Sequence, residues 1–520
     1  AHTRRRKGRT QRPVPLRQRQ EIQKVLRKAK LGVPAAIIIF WLVMVGVLLY
    51  REVVVPAFRP RMDVRRFVRA ENVWMGLFFG DKRVGFIHWT TSPDSRGDDA
   101  GFRLDLLARM TMPLFGQSAN LSLNGNAWQS GTRGLRDFDF TLRSGGNEMR
   151  VEGGVANDTM DARVHTGEDS YPLKMPVRHE LLLGGGMGLG SMSMPVLEPG
   201  QSAMIDTFDP ATMGVAPAKI EALELQTITV GGKPVKTIVM ATTMGGVTTK
   251  AWVTAEQEVV RAETPFGITV QKITAEEAVA PLPPGEGADL LRTVSITPTG
   301  PSPSPDARRM RVRFSGVAAD RMPPDTPVQH REGDVWTIVE PDPARRVQEP
   351  DSLSGPDMQK YLAGDAFITA DHEKIKALAK EITENTRDDW DKAVLLLGWV
   401  YENIEKKRSL SMPNALDVLR VRQGDCNEHA VLFTALARAA GIPARVAIGL
   451  AWDDETKTFG YHAWTEVFVQ RWLPMDPTFG ERTADATHIK LLDGGIEDWP
   501  RLLGYAGSLR IEVLEAAQGE

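Results

Sequence analysis

The sequence predicts a multidomain chain: a single N-terminal transmembrane helix, an antiparallel β-rich extracytoplasmic domain, and a C-terminal α+β domain. Three observations predict it. Residues 31–50 form a charge-free apolar run, residues from about 63 to 280 alternate with period two between glycine turns, and helix-period stripes lead into strand-like runs beyond residue 351. At 520 residues the chain exceeds one ordinary hydrophobic core.

The N-terminal 30 residues carry twelve Lys/Arg and one acid, Glu21, a net charge of +11. With −2 overall, the other 490 residues hold −13. Such an arm could bind nucleic acid, but the run "LGVPAAIIIFWLVMVGVLLY" that follows favours membrane topology. At about 1.5 Å per residue, its length crosses roughly 30 Å of hydrocarbon as a helix. A cleaved signal peptide is the rival, yet "LLYREVVVPAF" offers no small-residue cleavage site. The expected topology is a basic cytoplasmic arm (1–30), an anchor (31–50) and an extracytoplasmic remainder, with no nucleic acid as partner. The composition, 42% hydrophobic and 25% charged, is that of a soluble globular protein, so membrane attachment is local.

Residues 63–280 read as an antiparallel β domain of about ten strands, curved or half-closed. "SANLSLNGNAW" alternates Ala119, Leu121 and Leu123 before a Gly-Asn turn. "DFDFTLRSGGNEMRVEGG" alternates Phe138, Phe140 and Leu142, turns at Gly145–Gly146 and resumes at Met149 and Val151. "LQTITVGGKPVKTIVMATT" is a hairpin about Gly231–Gly232. "LLLGGGMGLGSMSM" (181–194) lacks a Gly-Lys-Ser/Thr ending and reads as a flexible Gly/Met loop. Prolines from Pro281 to Pro305 mark a semi-rigid linker, with a small β segment, reaching residue 350.

Beyond 351 the texture turns helical. Ile375, Leu378, Ala379 and Ile382 share one face. Trp390, Ala393, Val394, Leu397, Tyr401 and Ile404 share another. Next comes "RQGDCNEHAVLFTALARAAGIPAR", which holds Cys426, the chain's single cysteine. Asp425 is a favourable N-cap, and Glu428 completes a capping box. Cys426 then opens a helix that is apolar nearly all round and that Gly441 and Pro443 end. A helix start favours an anion, which predicts a depressed thiol pKa.

A base for that thiol has to come from elsewhere in the chain. His462 lies in "YHAWTEVFV" and Asp476 in "RWLPMDPTFG", on segments that adjacent antiparallel strands would set side by side. His462 would take the thiol proton, and Asp476 would fix its tautomer. His429 competes as base but is badly aimed along the same helix. Glu466 and Asp417 read as surface or capping residues. No cluster has metal-site spacing, and no cofactor is expected.

These segments resemble the bacterial transglutaminase-like superfamily: Gly-x-Cys opening a helix, Arg-x-x-Gly-Ile-Pro-x-Arg, His-Ala-Trp and Asp-Pro-Thr. The resemblance covers residues 352–520 and implies a papain-like α+β core. By it, Cys426 is the nucleophile, His462 the base and Asp476 the orienting acid. The oxyanion hole would include the Cys426 N–H, with Asn414, Gln423 or an upstream aromatic as candidates for the second donor. The implied activity is attack on an amide bond through a thioester, passed to water in a peptidase or amidase, or to an amine in a cross-linking transglutaminase. Location points to protein or peptide substrates of the cell envelope, with the catalytic domain periplasmic at the inner membrane. The β domain could engage an envelope protein partner. The reading from another class is a non-catalytic envelope scaffold.

Overall fold

The computed structural model describes residues 70–520 apart from 115–116, 132, 145–146, 168, 178–180, 184–196, 210–213, 245–246, 265–266, 283–294, 306, 345–354, 366, 408–413, 495–501, 503–504, 506–507 and 518–520. The basic arm, the apolar run 31–50, the Gly145–Gly146 turn and most of the Gly/Met loop lie outside the described residues. Among the described residues, no helix is long and apolar enough to cross a membrane.

A large antiparallel region comes first. Strands β1 (Glu71–Phe79), β2 (Lys82–Arg96), β3 (Asp99–Leu114), β4 (Gln117–Ser130), β5 (Gly134–Ser144), β6 (Asn147–Ala156), β7 (Thr159–Thr166) and β8 (Asp169–Pro176) pair in chain order. Strands β9 (Leu181–Leu183), β10 (Ser202–Asp209), β11 (Gly214–Val230), β12 (Lys233–Met244), β13 (Val247–Val253), β14 (Val259–Glu263) and β15 (Ile268–Lys272) form the other half. The two halves join where β15 pairs with β1, and among the described strands of this sheet only β9 and β10 pair in parallel.

Fifteen described strands replace the expected ten or so. Several hairpins close on two residues, which leaves no polar stretch to mark them in the sequence. Asn157 and Asp158, both at positive φ, join β6 to β7 in this way. The sheet curls until Gly134, at the start of β5, meets Leu181 of β9. Its concave face buries Leu77, Ile87, Phe138, Phe140, Met160 and Phe208 in one cluster. The turn expected at Gly125–Asn126 is absent, because β4 runs straight through it. Gly125 instead allows close strand approach, since a Cβ there would lie 2.2 Å from the Asp139 carbonyl oxygen.

A short helix, α1 (Ala275–Val279), follows, then β16 (Arg309–Ser315), β17 (Gln329–Glu332) and β18 (Val335–Val339). These strands are the small β segment expected within 281–350. β16 pairs on one side with β18 and on the other with β25 (Arg510–Ala517), near the end of the chain. Met310, Val312, Trp336 and Val513 bury their side chains in the C-terminal core, so this segment is part of that core. Composition alone does not distinguish such a proline-rich crossing from a tether.

The remaining elements are α2 (Gly355–Leu362), α3 (Glu373–Thr383), α4 (Asp389–Asn403), β19 (Glu405–Lys406), α5 (Ala415–Val421), β20 (Gln423–Gly424), α6 (Cys426–Ala439), β21 (Ala444–Asp453), β22 (Thr458–Val469), β23 (Arg471–Met475) and β24 (Ile489–Asp493). The sheet order is β23-β22-β21-β24, and α6 lies across β22. Ile375 and Ala379 of α3, Ala393 and Leu397 of α4, and Ile404 at its end are buried as their periodicity predicts. Tyr401 is the exception. It is exposed, and its ring stands against Gly480.

Candidate active site

Cys426 is the first residue of α6. Asp425 caps the helix by accepting from the Asn427 N–H, and the Glu428 carboxylate returns to the Asp425 N–H at 2.8 Å. Gly424 is required by this box, because a Cβ there would sit 2.3 Å from the Glu428 side chain. Residues Ala430 to Ala437 are all buried, so the helix is wrapped on every side. Two contacts pin it to β22. The Thr434 and Thr465 hydroxyls meet at 3.0 Å, and Thr465 Oγ1 also donates to the Ala430 carbonyl at 3.2 Å. They hold the helix carrying the cysteine and the strand carrying His462 in one register.

His462 lies on β22 and is 8% exposed. Its Nε2 stands 2.6 Å from Asp476 Oδ2. A carboxylate only accepts, so Nε2 carries a proton and donates it, and Nδ1 stays outside that bond. The Phe479 ring stacks on the imidazole at 4.6 Å between centroids and 6° between planes. The backbone N–H of Ala463, the next residue, donates toward the Cys426 sulfur. The sulfur therefore lies against the stretch of β22 that carries the imidazole.

Asp476 follows directly on β23 and is 0% exposed. Its Oδ1 accepts from the Thr478 and Phe479 N–H groups at 2.6 and 3.1 Å. Its Oδ2 accepts from His462 and from His488 Nε2, the latter at 3.1 Å. Burial pushes this carboxyl up, but the charge and hydrogen bond of His462, and those of His488, outweigh it and hold it well below the usual carboxylate range.

The thiol behaves otherwise than its helix position suggests. Cys426 is half-buried, and burial pushes its pKa well above the ordinary value. The charge of Asp425 adds to this, the Ala463 N–H opposes it, and Glu428 and Asp476 add again. The expectation of a depressed thiol is corrected. Burial, to which the two capping acids add, outweighs the positive end of the helix dipole.

The other candidates sort as follows. His429 is fully buried and its Nδ1 bonds the Asp425 carbonyl at 2.7 Å, one turn back. Its ring secures the helix start, and burial lowers its pKa. Asn414 is the N-cap of α5, accepting from the Leu416 and Asp417 N–H groups, while its Nδ2 donates to Thr166 Oγ1 of β7 at 3.0 Å. Its amide is thus committed to joining the β region to the C-terminal domain. Gln423 Oε1 accepts from Lys407 Nζ at 2.9 Å. Glu466 is buried, not a surface residue, and binds Arg445 of the Gly-Ile-Pro-x-Arg run at 2.7 Å. Asp417 is a first-turn acid of α5 and pairs with Arg420.

Sequence reasoning missed His488. It is 6% exposed, and its Nδ1 stands 3.1 Å from Asp485 Oδ1 and 3.9 Å from Glu481 Oε2. Burial opposes its charge, yet hydrogen bonds to Asp476 and Asp485 and the nearby Glu481 raise it to about 10. Glu481 is itself pushed up to about 7 by burial. The only signal was three titratable residues soon after Asp476, in a stretch without periodicity. His462, Asp476 and His488, and likewise Glu481, Asp485 and His488, stand close enough to hold a metal ion. Their donors and acceptors already match as hydrogen bonds, and Asp476 has both oxygens engaged.

Residues 376–477 match the Transglutaminase-like superfamily, so a transglutaminase-like domain lies there. Over 136 residues the chain is 26% identical to the kyphoscoliosis peptidase of Mus musculus, a match covering 22% of this chain and 20% of that protein. The chain thus spans about a fifth of the length of that relative. Among solved structures, a candidate cysteine protease from Cytophaga hutchinsonii is similar at a TM-score of 0.28 and 19% identity, over 41% of this chain and 86% of that one. The periplasmic domain of TgpA from Pseudomonas aeruginosa, bound to ethylmercury, gives 0.23 and 20%, over 35% and 74%. A β-barrel-like protein of unknown function from Brucella abortus gives 0.27 and 8%, over 39% and 95%. At these TM-scores the structural likenesses carry no argument about activity.

Proposed function

We propose that the chain is a cysteine enzyme acting on amide bonds, with Cys426 as nucleophile, His462 as general base and Asp476 as the group that orients it. The observation that carries this reading is the buried His462–Asp476 pair, on the stretch of β22 whose Ala463 N–H donates toward the thiol at the start of α6. Because burial keeps the thiol protonated, attack and deprotonation go together. The Cys426 proton passes to His462 Nδ1 as Sγ bonds the carbonyl carbon, and the oxygen takes up the π electrons. The Cys426 N–H, in the first turn of α6, is the first donor to that oxyanion. Collapse expels the amine, which leaves with the proton from His462, and a thioester remains. Water then attacks with His462 again as base, releasing the acid and restoring the thiol.

Water is the expected acceptor, which makes the enzyme a peptidase or amidase; an amine acceptor would make it a cross-linker. In this reading residues 31–50 anchor the chain in the inner membrane and the substrates are envelope proteins or peptides. Support for that placement is the charge-free run and its basic flank. The test is iodoacetamide alkylation of Cys426 against pH, alongside labelling by an acylating amide probe. Alkylation at neutral pH is expected to fall about tenfold or more in His462→Ala, the equivalent of one pKa unit, and the probe to label wild type but not Cys426→Ala. Alkylation indifferent to His462 would sink the reading.

A further inference from the structure

Resting on that reading of the site, a second histidine adds something the catalytic trio does not require. His488 presents one ring nitrogen to Asp476 Oδ2 and the other to Asp485 Oδ1, each at 3.1 Å. A neutral imidazole has a single N–H, and both partners are carboxylates that only accept. Asp485 is itself held low: burial pushes it up, but His488 and Thr487 outweigh that. Both hydrogen bonds can form together only if the ring is doubly protonated. The geometry thus describes an imidazolium shut inside the protein.

Its position relative to His462 gives that charge a consequence. The two histidines converge on the same oxygen of Asp476, with ring centroids 5.7 Å apart. The Trp464 ring meets His488 edge-on at 5.3 Å and that of Phe479 does so at 6.0 Å, so both flanks are apolar. The charged and titratable groups facing His488 are Asp476, Asp485, Glu481 and His462. The carboxyl of Glu481, raised to about 7, gives only part of a negative charge at neutral pH. Asp476 therefore presents to His462 a carboxylate already balanced on its other side.

We propose that His488 is a positioning residue: bridging Asp476 and Asp485 as an imidazolium, it fixes the Asp476 carboxylate and tempers the charge that His462 feels, so that Cys426 rests as a thiol and ionises only as substrate is attacked. The site would then avoid a standing thiolate, which oxidises readily. The chain's lone cysteine has no second cysteine to exchange with, so an oxidised sulfur could not be recovered through an internal disulfide.

Two measurements on the full-length chain test this. In wild type with selectively labelled histidine, nitrogen NMR at pH 8 is expected to show both His488 ring nitrogens protonated; a neutral ring overturns the proposal, and this readout needs no variant. In His488→Gln, an amide N–H can still reach Asp476 but the charge is gone. Alkylation of Cys426 at pH 6.5 is then expected to rise about tenfold over wild type, as for one unit of thiol pKa. A superimposable profile, or a uniform loss of reactivity with an unchanged midpoint, would mean that His488 only fills space and overturns the proposal. Because alkylation uses no substrate, that result leaves the His462→Ala comparison standing, so the two readings fail separately.

Discussion

His462 Nε2 and Asp476 Oδ2 stand 2.6 Å apart, with Asp476 sealed from solvent and His462 nearly so. A buried carboxylate that accepts four hydrogen bonds has one stable state, and its neutral isostere cannot reproduce it. Asp476→Asn removes the charge that supports a protonated His462 and presents an amide where two ring N–H groups need an acceptor. Probe labelling at Cys426 is expected to fall by about 10²–10⁴, the range of a general-base contribution. The same variant leaves His488 one buried partner short, so stability is expected to drop by about 3–5 kcal/mol. Labelling rates and denaturant midpoints at pH 7 check both.

The capping acid is separable from the charge it brings. Asp425→Asn keeps an N-cap of equal rank but removes the largest unfavourable charge beside Cys426. Its alkylation profile is expected to move to lower pH with little change in melting. Asp425→Ala also removes the charge but costs about 1 kcal/mol of helix capping. A profile that stays put in both variants would remove the capping acids from the account of the raised thiol.

Much of the C-terminal site is written in local signals. Asp425, Glu428 and Gly441 mark both ends of α6, and the aromatic and β-branched run Thr458–Val469 places His462 on a strand. Those signals work because caps and strand periods are set by neighbours within a few residues. His488 was illegible because its role comes from three carboxylates gathered by a non-repetitive loop, and no period marks such a loop. The thiol's raised pKa was illegible for a related reason: dipole and cap act in opposite directions, and only burial decides between them. The pairing of β16 with β25 joins residues about 200 positions apart, a separation at which composition carries no information.

Asn414 is one candidate for the second oxyanion donor by sequence, but its bonds assign it to capping α5 and to Thr166 of the β region. Asn414→Asp retains the cap, and the Thr166 hydroxyl can turn to donate to the new carboxylate. Probe labelling is therefore expected within about threefold of wild type, whereas loss of an oxyanion donor costs about 10²–10³. Asn414→Ala loses the cap, and about 0.5–2 kcal/mol of stability with it. A hundredfold fall in labelling for Asn414→Asp would return the residue to the oxyanion hole.

The ion cluster behind the site gives stability a pH dependence whose sign is fixed by its members. His488 is raised from the ordinary 6.5 to about 10, so its contribution is fully present below pH 6.5 and is lost as pH rises toward 10. Glu481, raised from 4.5 to about 7, loses its contribution over that lower interval as pH rises. Asp476 and Asp485 are lowered, so theirs is present above the ordinary carboxylate range and lost as pH falls through it. Between about pH 8 and 10, above the Glu481 titration, only His488 changes among these four. Denaturant midpoints of wild type are therefore expected to fall across that window by the equivalent of a few kcal/mol. In His488→Gln the midpoint starts lower at pH 7 and falls less steeply. Parallel curves for the two proteins would show that the alkaline loss comes from lysines and tyrosines elsewhere, and would leave the buried imidazolium without a thermodynamic signature.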